Sequence, residues 1–209
     1  MARTALLIID MQNDIAHPDG RMFIRDAAHR AEAMGLVLDA FREARAPVVH
    51  AVRSHRSDGW DVERFRMPSF EAGRGICVEG TWGRQILDRF SPEPGEPVVV
   101  KRRFSAFLGT ELDMLLRRAR VTKVAVCGVS LPNSPRATMF DAVSLDYDVI
   151  CVEDGMATAN DETRIANLRD LEAVGVRVAT AQELIAETYR AAERAASVGP
   201  GASDSEETR

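Results

Sequence analysis

The chain has 209 residues, 45% of them apolar and 28% charged, which is enough for one sizeable core and short for two. Its 27 basic residues face 32 acidic ones, for a formal charge of -5, so no basic surface awaits nucleic acid. The longest apolar runs, such as Val124 to Val129, are strand-sized rather than the roughly 20 residues of a membrane helix.

Short apolar runs alternate with longer amphipathic stretches, the pattern of a parallel sheet covered by helices on both faces. After Met1-Ala2-Arg3-Thr4, the run Ala5 to Ile9 is too short for a signal peptide and reads as a buried strand ending at Asp10. A cytoplasmic location is therefore expected, with no membrane or nucleic-acid partner. Ala27 to Arg45 has helical spacing, and Pro47 stops it before a strand over Val48 to Val52. Residues 54 to 95 are irregular and rich in Gly, Pro and Arg, with one short helix expected around Gly83 to Phe90; so long a loop in a compact domain is usually functional. Further strands are predicted at Pro97 to Val100, Lys123 to Val129, Val149 to Val152 and Val176 to Ala179. Helices are predicted at Thr110 to Arg120, Pro135 to Leu145, Asp161 to Val174 with an Asp cap, and Ala181 to Ala196. The expectation is one domain over residues 1–196 and a polar, flexible tail over 197–209.

Cys77, Cys127 and Cys151 leave one cysteine over in any disulfide scheme and lack metal-type spacing, so reduced thiols are expected. Cys127, inside an apparent strand, reads as a small buried apolar residue. Lysine occurs only at Lys101 and Lys123, the other basic residues being arginine.

In open parallel sheets, ligands bind beyond the carboxyl ends of the strands. Three such ends carry polar residues of chemical interest: Asp10, Lys101, and the segment Ser130-Leu131-Pro132-Asn133-Ser134-Pro135. Together a carboxylate, an ammonium and a hydroxyl at a helix entrance make an acid–base and nucleophile set, with backbone donors near Ser134 for an oxyanion. Singly, each has a structural reading. The Asp is then a cap, the Lys is solvated, and Ser134 is an N-cap with Pro135 at the first helical position.

Three blocks carry a resemblance: Ile8-Ile9-Asp10-Met11-Gln12-Asn13-Asp14, Lys101-Arg102-Arg103-Phe104-Ser105-Ala106-Phe107, and Cys127-Gly128-Val129 followed by Pro132-Asn133-Ser134 and Phe140-Asp141-Ala142. In order from Ala5 to Leu184, the chain resembles the isochorismatase-like cysteine hydrolases, which include nicotinamidases, N-carbamoylsarcosine amidohydrolase and isochorismatases. The resemblance implies a three-layer α/β/α, Rossmann-like fold with a six-stranded, mostly parallel sheet and a homodimer or homotetramer; no cofactor is expected. It implies a C–N hydrolase of small amides or carbamoyl compounds, with Asp10, Lys101 and position 134 catalytic. It also implies an oxyanion hole from the N–H groups of Ser130 and Ser134, with a cis peptide between Val129 and Ser130.

The departure is at position 134, where family amidases have cysteine. Leu131 also replaces the usual threonine. A thiol is partly ionised near neutrality, whereas a serine hydroxyl needs a strong base against it, so amide hydrolysis should suffer. An engineered trap, a natural loss and a natural serine enzyme all fit. Two alternatives to the amidase reading follow. One is an inactive homologue that binds a metabolite or partner; the other is an enol-ether hydrolase of the isochorismatase branch, with Asp10 as acid. That branch usually has Trp at position 102 and Tyr-Ala-His at 130–132, and the present residues stand nearer the amidases. True nicotinamidases bind a metal near the region of His55 and Asp58, but the expected Asp-x-His and second His are absent, so these read as loop residues and no metal is expected. Gln12, Phe23, Trp82, Phe104, Ser105 and Phe107 are the candidates for substrate contact. A core role is expected for at least two of the aromatics, and backbone partners would equally satisfy Gln12 and Ser105.

Overall fold

A computed structural model describes residues 3–197; the tail expected from 197 onward lies, apart from Ser197, outside the described residues. Its sheet has six strands in the order β3-β2-β1-β4-β5-β6, all parallel. These are β1 (Thr4–Ile9), β2 (Val48–Arg53), β3 (Val98–Lys101), β4 (Lys123–Val129), β5 (Asp148–Ala157) and β6 (Arg177–Ala179). The helices are α1 (Asn13–Ala16), α2 (Asp26–Glu43), α3 (Met67–Glu71), α4 (Leu112–Arg118), α5 (Ser134–Ser144), α6 (Asp161–Ala173) and α7 (Ala181–Ser197).

Because strand side chains alternate between faces, the apolar run of β1 feeds two cores at once. Leu6 and Ile8 join Met34, Leu38 and Phe41 of α2 and Leu184 of α7 on one face. Leu7 and Ile9 join Leu112 and Leu116 of α4, Met139 of α5 and Leu171 of α6 on the other. Burying each such aliphatic side chain is worth about 1.5–3 kcal/mol, so this central strand fixes both layers together. Gly128 is required where β4 passes β1: its φ is +135°, and a Cβ there would lie 2.1 Å from the Ile9 carbonyl oxygen.

Several predicted boundaries moved. β5 runs on to Ala157, five residues past the apolar stretch, because a register shift against Val126 and Gly128 brings Met156 and Ala157 back alongside β4. Arg164 holds that irregular end by donating to the carbonyls of Glu153 and Met156, both at 2.7 Å. The cap of α6 is Asn160 rather than Asp161: its Oδ1 accepts the Thr163 N–H at 2.8 Å. The helix expected around 83–90 is instead two 3-10 turns, Trp82–Arg84 and Asp88–Phe90, while α1, α3 and a 3-10 turn at Arg64–Arg66 were not foreseen.

Candidate active site

The sheet order reverses between β1 and β4, and the chemistry gathers at the carboxyl ends of the strands around that point. Asp10 follows β1 with a left-handed φ of +56°, a conformation aspartate tolerates better than most residues. Its backbone N–H is fixed by the Ala51 carbonyl at 2.9 Å. Lys101 ends β3 and Ser134 opens α5. The Lys101 ammonium donates to Asp10 Oδ2 at 2.9 Å and to Ser134 Oγ at 3.0 Å. All three are buried, Lys101 at 0%, Asp10 at 1% and Ser134 at 2% exposure. Burial lowers the Lys101 pKa to about 8 even though Asp10 opposes the shift. The second carboxylate oxygen, Asp10 Oδ1, is closed off from solvent and has no hydrogen-bond partner among the described residues.

A fourth residue completes the cluster. Arg53 ends β2, paired in register with Lys101, and is 2% exposed. Its Nη2 donates to Ser134 Oγ at 3.3 Å, its Nε lies 3.5 Å from Asp10 Oδ2, and its Nη1 meets Glu63 Oε1 at 3.0 Å. Two cations thus point at the Ser134 oxygen from different strands, an arrangement that favours negative charge on the atom at position 134. The N-cap of α5 is Asn133, so Ser134 is the first helical residue and its hydroxyl is free of capping duty. Thr138 locks that entrance, donating to the Ser134 carbonyl at 2.7 Å and accepting the Ala106 N–H at 3.0 Å.

An isochorismatase domain model matches residues 4–183. The chain belongs to the isochorismatase family. A probable inactive nicotinamidase of Arabidopsis thaliana is 36% identical over 183 residues, covering 86% of this chain and 93% of that protein. An isochorismatase family protein from Desulfovibrio vulgaris has a solved structure that superposes with a TM-score of 0.86 at 39% identity, over 91% of this chain and 100% of that one. N-carbamoylsarcosine amidase from Thermoplasma acidophilum superposes with a TM-score of 0.73 at 28% identity, over 86% and 96%.

In this isochorismatase-family chain the Val129–Ser130 peptide is cis, where the resemblance placed it. The backbone N–H groups of Ser130 and Ser134 make no hydrogen bond among the described residues, so both remain available. The expected substrate contacts separate. Phe104 lies against the cluster, its ring centroid 5.0 Å from the Arg53 guanidinium carbon. Gln12 does not face a ligand: its amide donates to the carbonyls of Arg53 and Arg84 and accepts the Arg53 N–H, tying β1 to β2. Ser105 spends its hydroxyl on the Phe107 N–H. Phe107 packs on Tyr147 and the second core. Trp82 is 47% exposed with its ring edge-on to His17, and Phe23 is half-buried in the turn before α2.

The residues near the family's metal region do not fit a metal. Burial and then the Arg53 charge lower the His55 pKa to about 4, and its Nδ1 lies 3.6 Å from Asp61. Asp58 turns outward to Arg56 at 2.6 Å. A guanidinium beside the imidazole would repel a cation, and no group of three or more His, Cys, Asp or Glu among the described residues is placed to hold one. Cys77 and Cys127 are buried, and burial raises both thiols, which leaves them protonated. A recess of about 730 Å³ lies at the opposite end of the sheet, between α7 and Arg3, Pro47 and Lys123.

Sequence reasoning missed Arg53, Glu63 and Arg66. The signal for Arg53 was its position, since it ends a strand just as Asp10 and Lys101 end or follow theirs. Glu63 and Arg66 sit in the irregular segment, where no periodicity marks them.

Proposed function

We propose that this protein hydrolyses a C–N bond in a small amide or carbamoyl compound, with position 134 as nucleophile. The observation that carries the reading is the buried contact of Lys101 with both Asp10 and Ser134. Asp10 accepts the Ser134 hydroxyl proton while Lys101 and Arg53 stabilise the charge left on Oγ. Attack on the carbonyl carbon forms a tetrahedral intermediate whose oxyanion takes the N–H groups of Ser130 and Ser134. Collapse breaks the C–N bond, and the proton held on Asp10 leaves with the amine. Water, deprotonated by Asp10, then cleaves the serine ester and returns the enzyme. The N-carbamoylsarcosine amidase likeness supports the amide class.

A second reading is a ligand-binding homologue without turnover, favoured by the relative named a probable inactive nicotinamidase. Ammonia release by the protein and by Ser134→Cys, over small amides including nicotinamide and N-carbamoyl amino acids, separates the two. We expect the Cys form to exceed the Ser form by at least about a hundredfold, as a thiolate needs less base assistance. Silence from both forms across the panel would sink the hydrolytic reading in favour of binding.

A further inference from the structure

The charges in the cleft do not balance. Asp10 is shared by Lys101 and Arg53, and Glu63 is shared by Arg53 and Arg66, so three cations meet two carboxylates. His55 adds no charge at neutrality, because its pKa is held near 4, and Asp61, 3.6 Å from its Nδ1, is matched by Arg102 at 2.8 Å. The next buried carboxylate, Asp14, is turned to the backbone N–H groups of Cys77 and Arg21. The start of α5 adds the positive end of its peptide dipoles. At the rim, Arg84 reaches Ser54 Oγ, and among the described residues Arg103 reaches only the carbonyls of Asp61 and Arg102. A chain of net charge -5 has thus built a cleft with unmatched positive charge.

Arg66 is where that charge meets solvent. Its Nε is fixed to Glu63 Oε2 at 3.0 Å, and its guanidinium carbon lies 4.8 Å from the Phe65 ring centroid and 5.7 Å from that of Phe104. Its two terminal nitrogens make no hydrogen bond among the described residues, while its side chain is 14% exposed. A clamped guanidinium with free donors suits a planar, bidentate carboxylate. Arg53 and Glu63 link it to Ser134 in a continuous chain of contacts.

We infer that the ligand is an anion, a small amide whose carboxylate is recognised by Arg66 while its carbonyl carbon lies at Ser134. That it is a substrate rests on the hydrolytic reading above; that it is an anion does not. The test is therefore equilibrium binding to the intact protein, by calorimetry, of succinamate and of its neutral counterpart succinamide. Succinamate should bind at least about tenfold more tightly, Arg66→Gln should bring the ratio of the two affinities to about one, and Arg66→Lys should restore part of the preference. Raising salt to about 1 M should shrink the preference in the unsubstituted protein, a check that needs no variant. Equal affinity for the two ligands, no measurable binding of succinamate, or a preference that survives Arg66→Gln would overturn the inference. Loss of turnover with the anion preference intact would instead remove the hydrolytic reading alone.

Discussion

The floor and the rim of the cleft each hold a carboxylate–cation pair at short range. Asp10 and Lys101 meet at 2.9 Å with side chains 2% and 0% exposed; Asp58 and Arg56 meet at 2.6 Å with 52% and 61% exposed. The shorter contact is the weaker device. At the rim water already solvates both ions, and Arg56 simply draws the Asp58 carboxyl down to about 2. On the floor neither ion has water to fall back on, so each depends on the other and on Arg53. Burial, rather than distance, turns the pair into machinery.

The contrast can be broken most sharply at Lys101. Replacing it by Met leaves the Asp10 carboxylate buried beside Arg53 alone, and chemical denaturation should register a loss of about 3–5 kcal/mol. A smaller effect is expected in the pH dependence of stability. The Lys101 pKa is lowered to about 8 in the fold, below its usual value, so the unfolded chain holds the proton to higher pH. The contribution of this group to stability should therefore be least below pH 8 and rise with pH above it, toward the ordinary lysine range near 10.4. Thermal unfolding between about pH 7.5 and 10 should show that positive slope in the unsubstituted protein and not in Lys101→Met. At the other extreme, Arg56→Ala should leave the melting temperature within measurement error, and a marked drop would mean that the rim pair shares the burial of the floor.

The same divide separates what was legible in the sequence from what was not. The strands announce themselves because a strand buried on both faces must be continuously apolar, and a polar residue closing such a run, as Asp10 and Lys101 do, has to be accommodated at a ligand-facing edge. Arg53 does the same work but stands out less in a chain whose basic residues are almost all arginine. The partners Glu63 and Arg66 are placed by contacts across the sheet end rather than by local pattern, so residues 54 to 95 gave no hint of them. Asn160 was passed over as a cap because Asp161 is equally suited chemically, and only the Thr163 N–H decides between them. Gln12, read as a ligand contact or a backbone brace, turned out to be the brace because its amide is fully engaged by peptide groups of β2 and the turn at Trp82–Arg84.

The sheet order also governs when the site can come into being during synthesis. β1 is the first strand made, yet one of its two neighbours is β4, paired from Thr4 with Lys123 through Ile9 with Gly128. Until that later segment has left the ribosome, β1 keeps an open edge and Asp10 has no Ser134 to face. Pairings so distant along the chain are slow to form. A nascent chain halted after β3 would carry the carboxylate, guanidinium and ammonium but not the hydroxyl, with charges still hydrated, so the complete cluster and its burial arrive together, late, as a property of the finished domain.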